Sequence, residues 1–105
     1  MEQALLAELR LHKSDDELAL MREGARITEE AHKLAMTRVR PGMYEYEIEA
    51  LLHYTFRSHG AWGWAYPSIV GGGANACILH YVSNDSLLND GDLMLIDAGA
   101  EVDGY

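Results

Sequence analysis

The sequence predicts an α+β domain in which two long helices pack on short antiparallel strands. Three observations carry this. Ser14 and Glu17 stand three residues apart at the head of a long stretch with apolar residues at helical spacing. A second such stretch closes at Gly60, a natural helix C-terminal cap. After Gly60 the pattern changes to short apolar runs separated by Gly, Asn and Asp. Helices first and strands afterwards argue for helices covering one face of a sheet. A chain of 105 residues allows one domain with one modest core, so a two-lobed enzyme cannot be complete within it.

Residues 1–13 contain Leu5, Leu6, Leu9 and Leu11 and read either as a short helix or as an extended linker; 14–105 read as the folded unit. The first long helix runs from Ser14 to about Val39, with Leu18, Met21, Ala25, Thr28, His32 and Ala35 as its apolar stripe, and Arg40-Pro41-Gly42 ends it. The second starts at Tyr44 or Glu45 and turns Ile48, Leu51, Leu52, Thr55 and Phe56 to one side. Glu45, Glu47 and Glu49 are expected on its solvated side, near the positive end of the helix dipole. Strands are expected at Ser68–Val70, Cys77–Val82 and Leu93–Asp97, with a mobile loop at Gly71–Gly73 and a turn at Asn89–Asp92. Val102-Asp103-Gly104-Tyr105 carries an Asp-Gly hairpin signal, so a returning strand is expected and the chain reads as an excised fragment.

Composition narrows the partners. Seventeen acidic residues against eight basic ones leave a net charge of -9, and from Ser58 onward there are six acidic residues and no Lys or Arg. Such a surface repels phosphate backbones and anionic lipid, which argues against nucleic-acid and membrane partners and favours a cation. The lone Cys77 excludes an internal disulfide and a cysteine-based zinc site, and is expected as a small buried hydrophobe. No apolar run is long enough for a membrane span and no signal pattern opens the chain, so the cytoplasm is the expected compartment.

Two residues stand out for chemistry. Asp97 closes an apolar strand ahead of Ala98-Gly99, where a buried carboxylate needs either backbone N–H groups of the turn or a divalent cation. Glu101 and Asp103 share its face only if no bulge intervenes at Gly99. His80, in Ile78-Leu79-His80-Tyr81, can be a metal ligand, a proton carrier, a hydrogen-bond donor or a core residue bonded to a carbonyl. His12, His32, His53 and His59 lie on or beside the helices and read as structural or exposed. Gly71–Gly73 lacks the Lys and Ser or Thr of a phosphate loop. Trp62 and Trp64 are expected to pack over a helix end.

Taken in order, Arg40-Pro41-Gly42-Met43-Tyr44-Glu45, Tyr66-Pro67-Ser68-Ile69-Val70, Ile78-Leu79-His80-Tyr81, Asp90-Gly91-Asp92-Leu93, Ile96-Asp97-Ala98-Gly99-Ala100-Glu101 and Gly104-Tyr105 resemble the Xaa-Pro aminopeptidase (aminopeptidase P) and prolidase family. The resemblance implies the first half of a pita-bread metallopeptidase domain, whose intact form holds two divalent metal ions, usually manganese, and cleaves peptides with proline in second position. It assigns Asp97 as a metal ligand and His80 as the histidine that contacts the substrate or stabilises the tetrahedral intermediate. The remaining ligands and the general base would lie outside this sequence, so the chain alone is expected to be inactive, to hold no metal tightly, and to self-associate or pair with the missing half. Prolidase activity and a non-catalytic pita-bread binding module are the alternatives.

Overall fold

A computed structural model describes all 105 residues. Helix α1 spans Glu2–Leu11, α2 Asp15–Arg38 and α3 Glu45–Ser58; the strands are β1 Gly63–Trp64, β2 Ile69–Gly72, β3 Met94–Asp97 and β4 Ala100–Glu101, with a 3₁₀ turn at Gly73–Cys77. The chain is α+β, as its sequence indicates. The strands form two separate antiparallel ribbons, β1 with β4 and β2 with β3, and not one sheet.

The Ser14 hydroxyl accepts from the Glu17 N–H while the Glu17 carboxylate accepts from the Ser14 N–H, so the capping box at the start of α2 is complete. The helix ends before Pro41, and Gly42 takes the left-handed backbone (φ 90°) that the turn into α3 needs. The buried stripe of α2 is Gly24, Ile27, Ala31 and Ala35, whereas Met21 and Ala25 face solvent. Hydrophobicity misplaced this stripe because small residues decide it. A Cβ on Gly24 would meet the Ala100 carbonyl oxygen at 3.5 Å, so the backbone of β4 lies directly against the helix.

From α3, Ile48, Leu52 and Phe56 meet Ile27, Ala31 and Ala35 of α2, and Val70, Leu88, Ala98 and Ala100 complete the core. In β2–β3 the register pairs Ile69 with Asp97, Val70 with Ile96, Gly71 with Leu95 and Gly72 with Met94. Gly71 and Gly72 are therefore ordered strand and not a mobile loop. A Cβ on Gly71 would fall 2.9 Å from the carbonyl carbon and oxygen of Asn75, which only a backbone shift could relieve. Gly71→Ala is expected to cost about 1–3 kcal/mol, measured as a lower urea midpoint at unchanged slope. An unchanged midpoint would refute the close approach.

The run Cys77–Val82 is not a strand. It leaves the 3₁₀ turn, bends at Ile78 and turns at Leu79–His80, where His80 has φ 54°. No strand lies alongside to pair with it, and Cys77, Ile78, Leu79 and Val82 are exposed, so Cys77 is not a buried hydrophobe. At the other end Asp103 (φ 49°) and Gly104 (φ 86°) make a two-residue turn closed by paired bonds between Val102 and Tyr105, 2.8 and 3.0 Å. Helix α1 buries none of its residues, but Arg10 donates to the Gly104 carbonyl (2.6 Å) and lies over the Tyr105 ring. His53 packs edge-on against Trp64, which keeps that indole near α3.

A candidate active-site cleft

Strand alternation sends Met94 and Ile96 of β3 inward and Leu95 and Asp97 outward. Asp97 is therefore exposed and not buried, and no turn N–H group donates to it. The Tyr66 hydroxyl donates to Asp97 Oδ1 at 2.6 Å. That bond, with burial and the nearby charge adding to it, pushes the Tyr66 phenol up to about 12. The chain then breaks at Ala98–Gly99, and Glu101 joins the other ribbon opposite Gly63. Asp97, Glu101 and Asp103 do not converge, and no three His, Cys, Asp or Glu groups stand close enough to hold a metal ion.

Asp97 and His80 do meet at one feature. Both line an open cleft of about 260 Å³ whose apolar walls are Ile69, Ile78, Leu79 and Leu95, with Cys77 among them. The imidazole of His80 is exposed, so it is not a core histidine. His32 and His59 instead bond the carbonyls of Thr28 and Thr55 through Nδ1, as helix-associated histidines do.

The polar groups behind the cleft were hidden in the sequence. Glu45, expected in solvent, is fully buried. Its Oε1 accepts from the Tyr81 hydroxyl (2.6 Å) and the Ser86 N–H (2.8 Å), and its Oε2 from the Gly72 N–H (2.8 Å) and Asn75 Nδ2 (3.3 Å). Burial alone would push this carboxyl up, but the four donors outweigh it and hold the group below the usual carboxylate range. Burial, together with the bond to Glu45, pushes the Tyr81 phenol up. One helical turn on, the half-buried Glu49 accepts from Asn84 Nδ2 at 2.6 Å. Only Glu47 behaves as the acidic face was expected to, capping the N-terminus of α3.

Because folding lowers the Glu45 pKa, the stability it contributes is fully present above its unfolded value, near 4.3, and is lost as pH falls through the lower folded value. The urea midpoint of the native chain should therefore fall more steeply between pH 5 and pH 3 than that of Glu45→Gln. Parallel pH profiles would exclude an ionised buried Glu45.

Residues 19–105 match metallopeptidase family M24. The chain belongs to this family. It is 51% identical over 98 residues to the Xaa-Pro aminopeptidase of Escherichia coli K12, covering 93% of this chain and 22% of that protein. It is 41% identical over 101 residues to the Xaa-Pro dipeptidase of Rattus norvegicus, 91% of this chain and 20% of that protein. The solved structure of proline aminopeptidase P II from Yersinia pestis superposes with a TM-score of 0.94 at 50% identity, covering 98% of this chain and 24% of that one. The M24 chain described here thus spans about a quarter or less of the length of these relatives, and its fold is theirs over that span.

Proposed function

We propose that this chain forms one wall of the active site of a metal-dependent aminopeptidase that removes an N-terminal residue preceding proline. The observation that carries this reading is the meeting of Asp97 and His80 at one open cleft, in a chain 51% identical to an Xaa-Pro aminopeptidase. Asp97 is the metal ligand. Its Oδ1 is oriented by Tyr66, while Oδ2 takes no hydrogen bond from the chain and is free for a hard cation. His80 lines the same cleft with an exposed imidazole, where its N–H would bond the substrate carbonyl and follow it into the tetrahedral intermediate.

The donor set suits divalent cations in kind and falls short in number, since no three ligating groups converge. Two such ions, which we assign as manganese, would supply an activated water and polarise the scissile carbonyl. Further ligands and the general base must then come from outside these residues, and 14–105 constitute part of a larger catalytic domain. The isolated chain would not hydrolyse peptides. Leu79 and Leu93, each 85% exposed, favour pairing with that remainder or self-association. Six acidic residues and no Lys or Arg from Ser58 onward speak against nucleic-acid or anionic-membrane partners. A single cysteine, which can form no internal disulfide, is compatible with a reducing, cytoplasmic setting; no helix is long and apolar enough to cross a membrane.

The test is hydrolysis by the full-length protein of a peptide with proline in second position, lost with a chelator and restored by manganese. The 41% identity to a dipeptidase favours a second reading, in which Xaa-Pro dipeptides alone are cleaved. Absence of cleavage of either substrate would leave a binding module. Micromolar manganese binding by the 105-residue chain in calorimetry would contradict the shared-ligand reading.

A further inference from the structure

We propose that Glu45 and Glu49 are positioning residues for His80, holding from one face of α3 the loop that presents it to the cleft. Between Gly73 and Ser86 only Tyr81 and Asn84 are buried, while Ile78, Leu79 and Val82 are exposed. Apolar burial therefore does not fix this loop. His80 itself sits at φ 54°, a left-handed conformation uncommon outside glycine, which its surroundings help to fix.

Those surroundings are the two carboxylates. The donors converging on Glu45 come from Gly72 and Asn75 before His80 and from Tyr81 and Ser86 after it, so the histidine is bracketed on both sides. All four partners are donors, which calls for a group that only accepts. An amide at the same place would set one donor against another. Glu49 holds the far end through Asn84, whose Nδ2 also donates to the Ser68 carbonyl and whose Oδ1 accepts from the Val70 N–H, at 2.9 Å each. Residues 68–70 lead into and form part of β2, where Ile69 pairs with Asp97. One helix face thus ties the loop carrying His80 to the ribbon carrying Asp97, although neither carboxylate lines the cleft. The importance of His80 to catalysis rests on the function proposed above; the clamp itself does not.

The experiment is amide hydrogen exchange and histidine side-chain NMR on the chain, for the native sequence, Glu45→Gln and Tyr81→Phe. Loss of one charge-assisted bond should raise exchange at the hydrogen-bonded loop amides of Ile78 and Ser86 by about tenfold or more and shift the His80 ring signals, with Leu52 and Phe56 amides within about twofold of native. Unchanged His80 signals, or a uniform rise that includes α2 and α3, would overturn the proposal. Should Glu45→Gln fail to fold, Tyr81→Phe carries the same two outcomes. In the full-length protein, Glu45→Gln should lower kcat with little change in KM, next to His80→Ala as reference. An active His80→Ala protein would remove the catalytic role of His80, while the NMR outcome would still decide the clamp.

Discussion

Replacing Phe56 with alanine should destabilise the chain by about 3–5 kcal/mol. Phe56 has no solvent exposure and belongs, with Leu52, Ile27 and Val70, to the core cluster that joins α3 to the rest of the chain. The core includes several small residues that cannot fill the space it leaves. Ala31, Ala35 and Ala61 are already small, and their backbones are held by helix and loop hydrogen bonds. A domain of this size holds roughly 5–15 kcal/mol in total, so the variant should be close to unfolding at room temperature. Urea denaturation followed by circular dichroism measures this. Leu93→Ala, at a residue 85% exposed, should stay within about 0.5 kcal/mol and serves as the control. A loss below 1 kcal/mol for Phe56→Ala would mean that the core is not closed around the ring.

Asp97→Asn should have the opposite profile, with large chemical consequences and little effect on folding. On the proposed reading of Asp97 as a metal ligand, its loss in the full-length protein should exceed the roughly 10–100-fold cost of removing a group that merely supports such a ligand. Asp97 is exposed at the end of β3, so stability should change by no more than about 0.5 kcal/mol. The same substitution offers an activity-independent readout. With the carboxylate gone, the Tyr66 phenol should titrate well below its present value of about 12, back toward the usual 10 or so, in NMR of ring-labelled tyrosine. Retained hydrolysis would remove Asp97 from the metal site, and an unmoved Tyr66 would falsify the bond between them.

Local signals were readable wherever they involve neighbours in sequence. The Ser14–Glu17 capping box, the stop at Pro41–Gly42, the inward residues of α3, the turn at Asn89–Asp92 and the Asp103–Gly104 hairpin turn all occur as their residues indicate. Each depends on bonds spanning a few residues, so the sequence contains both partners side by side. The readings that failed share the opposite property. Glu45 was expected in solvent because its neighbours Glu47 and Glu49 are acidic, and its four donors lie 27 to 41 residues away. The run at Cys77–Val82 has strand composition and lacks a strand beside it. The glycines at 71 and 72 looked like slack, and only the backbone of Asn75 and the side chain of Leu88 reveal why a Cβ is excluded.

For the candidate site, sequence alone singled out His80 and Asp97, partly from local pattern and partly from family resemblance. It determined the fold class, the two long helices and the acidic character of the chain after Ser58. Tertiary structure decided that the two residues share a cleft, that Tyr66 orients the carboxylate, and that a buried glutamate stands behind the histidine loop. The physical reason is the same throughout. A turn or a cap is an interaction along the chain, whereas burying a charge requires donors gathered from distant segments, and their arrival depends on the completed fold.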